Sequence, residues 1–328
     1  PHLRPAVRPM SRLYTEVRGN GPALVLLHGW GLNLRIWDGL AATLCDHLRI
    51  IAVDLPGHGR SAWLPERSSL EEQAAQVSET VAGIAAEYSL LGWSLGSLVA
   101  LQLAAGHAQG AARAARAARA AGTARSAGHS PTAPILRRLV LVAATPRFVA
   151  APDWPYGAPA ERLAAQVGGL RSDYRRTVSD FLELQVRGSV EAAQSLEQMR
   201  AALFAHGAAV DAPRAAAGQF SSTAASDGGS RKSTDGPSEL RGLNIAALAR
   251  GLELLRDSDL RPLLTDITIP SLVIAGQYDR VIHPAASHAL ADALPNARYV
   301  EIRRAAHAPF LSHLPELSTL ISDFLLQP

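Results

Sequence analysis

Tyr88-Ser89-Leu90-Leu91-Gly92-Trp93-Ser94-Leu95-Gly96-Ser97-Leu98-Val99-Ala100-Leu101-Gln102-Leu103 is the stretch on which the fold turns. Tyr88 to Leu91 reads as a buried strand, and Leu98 to Leu103 opens a helix-like run. Between them stands Gly92-Trp93-Ser94-Leu95-Gly96, the pattern G-x-S-x-G. Flanking glycines let a backbone turn sharply from strand to helix without a Cβ clash, which lifts the central side chain clear of the sheet. The same turn sets Ser94 at a helix N-terminus, where backbone N–H groups lack intrahelical partners. Five matching residues alone would be a weak signal; in a strand–turn–helix context they mark Ser94 as a candidate nucleophile.

Working outward, the same alternation recurs. Ala23 to Leu27 and Leu48 to Val53 read as buried strands. Each ends in a turn: His28-Gly29-Trp30-Gly31 and Asp54-Leu55-Pro56-Gly57-His58-Gly59. Ile36 to Cys45 and Leu70 to Ala86 read as helices, the second capped by Ser68 or Ser69. Leu139 to Ala143, Ser271 to Ala275 and Ala297 to Arg303 continue the strands, and Leu314 to Leu326 closes with a helix. Strands alternating with helices predict an α/β fold with a mostly parallel central sheet flanked by helices.

Between about Thr145 and Leu264 the strand signal disappears. Leu163 to Leu170, Tyr174 to Gln185 and Leu196 to Phe204 are helical in pattern, which predicts an inserted helical cap. The expected division is a core of residues 1–146 and 256–328 with a cap of residues 147–255. Residues 106–134 are a low-complexity insertion of Ala, Arg, Gly and Ser; Arg113, Arg116 and Arg119 recur every third residue in it, and part of it is expected to be helical. Residues 205–239 hold almost no aliphatics after Phe220, so they cannot bury enough apolar area to offset their ordering entropy, and a mobile loop is expected there.

Composition bounds the function. The 328 residues are 48% hydrophobic, enough for a large core. Charged residues are 19%, against ~25% in ordinary soluble domains. Lys and Arg number 32 and Asp and Glu 29, a balance of +3 that is too small and dispersed to argue for nucleic acid. No apolar run is long enough to span a bilayer, and Pro1 to Met10 lack the pattern of a signal peptide. Cys45 is the sole cysteine, which excludes an internal disulfide and cysteine-rich metal sites and fits a reducing, cytoplasmic setting. On its helix it reads as a small core hydrophobe. Neither a P-loop, nor G-x-G-x-x-G after a strand, nor H-E-x-x-H occurs, so no metal or cofactor is expected.

A serine hydroxyl needs a base, and the base an orienting carboxylate. Asp279 follows the strand Ser271 to Ala275, and His307 follows the strand ending at Arg303. Both fall at carboxyl ends of parallel strands, where open α/β sheets build their sites, in the chain order nucleophile, acid, base. Ser94, Asp279 and His307 are therefore the predicted triad. Competitors fit less well. His28 reads as shaping its glycine turn, and Asp54 with His58 as a structural turn. Asp266 precedes its strand, and Asp257 and Asp259 lie in the helical insertion; His283 and His313 are further histidines near loops. The oxyanion hole is expected from the backbone N–H groups of Leu95 and Trp30, with Gly29 and Gly31 freeing the second loop to turn.

At these residues the chain is similar to the α/β-hydrolase superfamily. More narrowly it resembles the pimeloyl-[acyl-carrier protein] methyl ester esterases of biotin synthesis. The stretches that carry the resemblance are Leu24 to Asn33, Val53 to Ser61, Gly92 to Gly96, Arg176-Thr177-Val178, Phe181 to Gln185, Gly251 to Leu255 and Ala305-Ala306-His307-Ala308-Pro309-Phe310. They span most of the chain outside residues 106–134 and 205–239. The resemblance implies hydrolysis of a methyl ester on a carrier-bound pimeloyl chain. It implies acyl contacts at Trp30, Ser94, Leu95, Phe181, Leu182, Glu183, Leu184, Gln185 and His307. It also implies docking of acidic acyl-carrier protein by cap arginines, here Arg175, Arg176 and Arg187, on a chain expected to act as a monomer. Val178, Phe181, Leu182 and Gln185 would share one helical face, fit to roof a groove for a linear acyl chain or to pack the cap on the core. Two departures stand out. Ser97 replaces a glycine frequent after the family's elbow, and Asp180 and Glu197 interrupt the basic positions of its cap.

Overall fold

The structure, a computed structural model, describes residues 12–120, 134–204, 221–222 and 244–327. Among these residues eight strands form one sheet: β1 Thr15–Arg18, β2 Ala23–Leu27, β3 Arg49–Val53, β4 Glu87–Trp93, β5 Ile135–Val142, β6 Ser221–Ser222, β7 Ser271–Gly276 and β8 Ala297–Ile302. Their spatial order is β6-β1-β3-β2-β4-β5-β7-β8. Strands β3, β2, β4, β5, β7 and β8 run parallel, while β1 is antiparallel to both β3 and β6. The central strands are apolar on both faces; Leu24 to Leu27, Leu90, Leu91, Leu139 to Val142 and Leu272 to Ile274 are all fully buried. That is the pattern of a parallel sheet covered by helices on each side.

The helices are α1 Asp38–Leu44, α2 Leu70–Ala82, α3 Leu95–Ala120, α4 Ala160–Val186, α5 Ala192–Phe204, α6 Ile245–Asp257, α7 Pro284–Ala293, α8 Pro309–Ser312 and α9 Leu314–Leu326. Ser69 caps α2 by accepting from Glu72 N, as its sequence position predicts. Helix α3 runs through the Ala/Arg stretch as far as Ala120, so that part of the insertion is helical; the rest of it, to residue 133, lies outside the described residues.

Three expectations need correcting. The predicted helix Ile36 to Cys45 is a 3₁₀ turn, Leu34–Trp37, followed by α1. Cys45 is not inside that helix but caps it, half-buried, with Sγ donating to Ala42 O at 3.4 Å. Strand signal does not vanish throughout the insertion, because Ser221–Ser222 adds a short antiparallel strand to β1. β1 would otherwise present unpaired backbone groups at the sheet edge, and such an edge accepts any extended segment with little regard to its side chains. The remainder of 205–239 lies outside the described residues.

Helices α4 to α6 fall between β5 and β7, with α4 packed against α5 and α6. The two chain passages joining these helices to the sheet are strapped together. Leu260 N donates to Pro146 O at 2.9 Å, and Arg147 Nη1 reaches Asp259 Oδ2 at 2.8 Å. Arg261 donates to the same carboxylate at 2.6 Å, which with Arg147 holds Asp259 down to about 2.

Helix α4 is bent. Asp173 has non-helical backbone angles, and its carboxylate caps the second half by accepting from Arg176 N at 3.1 Å. The buried face of that half is Val178, Phe181, Leu182, Gln185 and Val186, matching the periodicity of the sequence.

Candidate active site

Strands β2 and β4 are neighbours, but the chain leaves β2 toward β3 on one side and later β4 toward β5 on the other. A crevice opens at such a reversal, beyond the carboxyl ends of the strands. The loop after β2 holds Gly29-Trp30-Gly31, and the turn after β4 holds Ser94, so the topology alone brings them together. A Cβ placed on Gly29 would lie 3.3 Å from Ser94 Cβ, which shows how closely the two loops approach.

Ser94 has φ +55°, a left-handed conformation rare for a residue with a side chain. What imposes it is on either side. A Cβ on Gly92 would stand 2.4 Å from Gly96 O, and one on Gly96 2.4 Å from Leu27 O. Only glycine fits either place, and the turn between them is held by Ser97 N and Ser97 Oγ, donating to Ser94 O at 2.9 and 2.6 Å. Ser97, the departure noted in the sequence, thus ties the elbow shut. Leu95 supplies the first amide of α3, which has no carbonyl one turn back to bond.

His307 and Asp279 come from adjacent turns. Gln277 N donates to Ile302 O at 3.0 Å and Tyr278 N to Ala305 O at 2.8 Å, and a Cβ on Gly276 would meet Ala306 O at 2.0 Å. Arg304, with φ +60°, is held by Gln277 Oε1 accepting its N–H at 3.0 Å. These contacts bring His307 Nδ1 to 2.7 Å from Asp279 Oδ2, with both side chains excluded from solvent. Because a carboxylate only accepts, Nδ1 carries the proton and Nε2 is left as the acceptor. Nε2 is buried and has no hydrogen-bond partner among the described residues. Asp279 Oδ1 accepts from Val281 N at 2.8 Å and Ile282 N at 2.9 Å, so the carboxylate is fully engaged. Trp93, next to Ser94, donates its indole N–H to His307 O at 2.9 Å and lies with its ring 5.5 Å from the imidazole.

The competing histidines have other duties. His28 Nδ1 donates to Gly29 O at 2.8 Å while Nε2 accepts from Leu55 N at 3.0 Å, a neutral ring that braces two loops. His58 Nδ1 donates to Pro56 O at 3.1 Å within its own turn. Asp54 accepts from Leu34 N at 2.7 Å and Arg60 N at 2.9 Å, and a Cβ on Gly59 would fall 2.0 Å from its Oδ2. Burial outweighs those bonds and pushes its carboxyl up to about 6.

Trp30 is buried, with its indole N–H donating to Leu248 O at 2.8 Å on α6 and its ring edge-on to Phe181 at 5.0 Å. Gly251, also on α6, lies flat over it: a Cβ there would sit 2.7 Å from Trp30 Cδ1 and 3.4 Å from Leu95 Cδ2. Reading the sequence residue by residue gave Gly251 no site role, although a glycine inside the helix-forming run Ala246 to Leu255 is the signal of such an approach.

The segment Phe181 to Gln185 divides. Phe181, Leu182 and Gln185 are buried, and Gln185 O accepts from His307 N at 3.0 Å. Gln185 Nε2 is buried without a hydrogen-bond partner among the described residues. Leu184 is half-buried against the core, whereas Glu183 is exposed and paired with Arg200 at 3.1 Å. Arg175, Arg176 and Arg187 are exposed, and Arg176 lies 3.6 Å from Asp180 one turn on. Among the described residues no cluster of His, Cys, Asp and Glu could hold a metal ion, and no helix is long and apolar enough to cross a membrane.

This is the architecture of a carboxylic ester hydrolase, and the chain belongs to the α/β-hydrolase family, whose model, described as alpha/beta hydrolase fold, matches residues 22–314. More narrowly, it falls within one group of esterases. It is 34% identical over 95% of its length to the pimeloyl-[acyl-carrier protein] methyl ester esterase of Xylella fastidiosa (strain M23), covering 98% of that protein. It is 33% identical over 92% of its length to the enzyme of that name from Nitrosomonas europaea, covering 95% of it. Among solved structures, a hydrolase from Oleispira antarctica superposes with a TM-score of 0.71 at 18% identity, over 97% of this chain and 96% of that one. An esterase from Exiguobacterium antarcticum gives 0.68 at 20% identity, over 95% of each chain. The likeness to these structures supports the fold.

Proposed function

We propose that the protein hydrolyses the methyl ester of a pimeloyl chain carried on acyl-carrier protein, releasing methanol and the free carboxylate for biotin synthesis. Ser94 is the nucleophile, His307 the base and Asp279 its orienting acid. His307 Nε2 takes the hydroxyl proton as Ser94 Oγ attacks the ester carbon. The imidazolium that forms is stabilised by Asp279, already bonded to Nδ1. Charge gathers on the former carbonyl oxygen, facing the backbone N–H groups of Leu95 and Trp30; one such donor contributes on the order of 3 kcal/mol to the transition state. His307 then gives its proton to the departing methoxide, which leaves as methanol. Water, deprotonated by the same nitrogen, cleaves the acyl-enzyme and restores Ser94.

The observation that carries this reading is the buried 2.7 Å bond between His307 and Asp279, together with a serine held at φ +55° in the turn after β4. The names of the relatives support the choice of ester. Trp30, Phe181, Leu182 and Gln185 are the buried groups suited to line the acyl path, with Glu183 and Leu184 at its outer side. Residues 147–255 act as a cap over a core of residues 1–146 and 256–328. Arg175, Arg176 and Arg187 offer charge to the acidic carrier protein, and the working unit is a monomer in the cytoplasm.

The test is methanol release from synthetic methyl pimeloyl-carrier protein. Wild type should turn it over, and Ser94→Ala should lose about 10⁴-fold or more in kcat. Retention of activity in Ser94→Ala would refute the nucleophile. Equal rates on carrier-bound and free methyl esters would refute the carrier as a specificity element.

A further inference from the structure

The amide that the mechanism takes from Trp30 belongs to a peptide with little orientational preference of its own. Gly29 lies so close to the elbow that a Cβ on it would stand 3.0 Å from two ring carbons of Trp93 and 3.3 Å from Ser94 Cβ. A side chain there would crowd the nucleophile, but glycine also lets the Gly29–Trp30 peptide turn over at small cost. Gly31, two residues on, has φ +75° and gives the loop no further stiffness. With the peptide turned over, Gly29 O rather than Trp30 N–H would face Ser94 and repel the developing oxyanion. Something outside the Gly29–Gly31 turn must choose between the two orientations.

We propose that His28 makes that choice and is a positioning residue of the oxyanion hole: its Nδ1–H, donated to Gly29 O at 2.8 Å, holds the Gly29–Trp30 peptide with its N–H toward Ser94. The tautomer follows from the ring's other bond. Leu55 N donates to His28 Nε2 at 3.0 Å, so Nε2 is bare and Nδ1 carries the proton. His28 and Leu55 are both fully buried, so water does not compete for either bond. The direction follows from the sheet. Strand β2 lies between β3 and β4; Leu55 follows β3 and Ser94 follows β4. A ring that joins Gly29 O to Leu55 N draws that carbonyl toward the β3 side. In a trans peptide the N–H points opposite to the C=O, and no peptide bond among the described residues is cis. The Trp30 N–H is thereby turned toward the β4 side, where Ser94 stands.

Two further contacts work in the same sense. Leu32 N donates to Gly29 O at 3.4 Å, and Asp54 Oδ1 fixes the far end of the loop by accepting from Leu34 N at 2.7 Å. Turning the peptide over would leave the buried His28 N–H without its acceptor, which costs more than exchanging one bond for another. The orientation is thus set before substrate arrives, as electrostatic stabilisation of a transition state requires.

This role rests on the reading of Ser94 as nucleophile and Trp30 N–H as oxyanion donor, and the experiment separates it from that reading. Wild type, His28→Asn and His28→Gln would be compared in hydrolysis of a p-nitrophenyl ester and in inhibition by a trifluoromethyl ketone, whose hemiketal with a serine carries an oxyanion; melting temperatures would be measured in parallel. His28→Asn puts an amide N–H where Nδ1 stood and keeps a donor for Gly29 O. His28→Gln reaches the place of Nε2, keeps an acceptor for Leu55 N and has no donor at Nδ1. The Gln variant should lose about thirtyfold in kcat/KM, with the ketone's Ki weakened by the same factor. The Asn variant should stay within about threefold of wild type on both. Equal losses in the two variants, or a loss of kcat/KM with the ketone's Ki unmoved, would show a general loosening of the loops and overturn the role. A Gln variant that matches wild type overturns it too. The ring gives a second measurement that needs no variant: long-range ¹⁵N–¹H spectra of the wild-type protein should show His28 with a protonated Nδ1 and a bare Nε2, and the opposite tautomer overturns the role whether or not the variants fold. Methanol release from the methyl ester by Ser94→Ala would remove the triad; with that variant inactive and His28→Gln unimpaired, the triad stands and His28 alone loses its part.

Discussion

The Gly92–Gly96 elbow and the second half of helix α4 meet at His307, yet they are held by different kinds of contact. At the elbow, backbone touches backbone: Gly92 lies against Gly96 O, Gly96 against Leu27 O, and Ser94 is forced to φ +55°. Helix α4 is held by side chains, through Phe181 on Trp30 and Glu183 on Arg200, and by single hydrogen bonds at its ends. Close-packed backbone has no rotamer by which to yield, whereas a helix face on a helix face can slide by small steps. The proposed nucleophile should therefore be rigid and intolerant of change, and the proposed roof over it adjustable.

The sharpest way to break this contrast is Gly96→Ala. The added carbon would stand 2.4 Å from Leu27 O and 2.6 Å from His28 O, with no flexible side chain to give way. Strand β2 or the start of α3 must shift, at a cost of more than about 3 kcal/mol, and the elbow loses its geometry with it. Urea unfolding and Ser94 labelling should both collapse. A variant with wild-type stability and labelling would show the elbow to be as adaptable as α4.

That difference in kind also decides what can be read from the sequence. The elbow was legible because its constraint is local: two glycines around one serine, after a strand whose Tyr88, Leu90 and Leu91 are buried. Asp279 and His307 were legible because they follow strands with clear apolar runs. Strand β1 was not, since Thr15–Arg18 is a short strand of four residues without such a run. Nor was the bend in α4, although Asp173 carries a signal for it; a short polar side chain just before a new helical stretch is a helix cap. The bonds from His307 N to Gln185 O and from Arg162 to Arg280 O join residues more than a hundred positions apart, and no periodicity announces such a pairing. Trp30 shows the same limit. Its place after β2 suggested an oxyanion donor, while its clasp by Leu248 and Gly251 came only with the fold.

A second difference is electrical, and it sharpens the comparison at moderate cost. The loops after β2 and β3 bury a carboxyl, Asp54, whereas the carboxylates of α4 stay in water. Asp54 binds its proton more tightly when folded, at about 6, than its ordinary value of 3.8. As pH rises from 4 to 6 the unfolded chain therefore loses this proton first, and the folded state becomes less stable. The loss approaches about 3 kcal/mol for a shift of this size and is complete above pH 6. Asp259 acts in the opposite sense but only below pH 4, because its pairing with arginines holds it down to about 2. Unfolding free energy measured at pH 4.5, 5.5 and 6.5 should fall with pH in wild type more steeply than in Asp54→Asn. Parallel slopes would show that Asp54 ionises in the fold as it does in the unfolded chain.

The smallest effect belongs to α4 itself. Glu183 faces Arg200 of α5 at 3.1 Å, with about half of each side chain in water. Two long side chains must be ordered to make that bridge, and salt screens it, so it contributes well under 1 kcal/mol. Glu183→Gln should shift the melting temperature by no more than a degree or two and leave Ser94 labelling at the wild-type rate. Turnover is where the residue can matter. If Glu183 lines the outer end of the acyl path, KM for the carrier-bound ester should rise a few-fold while kcat holds, because the groups that move the proton are untouched. A fall in kcat at constant KM would instead mean that α4, through Gln185 O and His307 N, transmits a change on its exposed face to the base. The roof would then be as tightly coupled to the chemistry as the elbow.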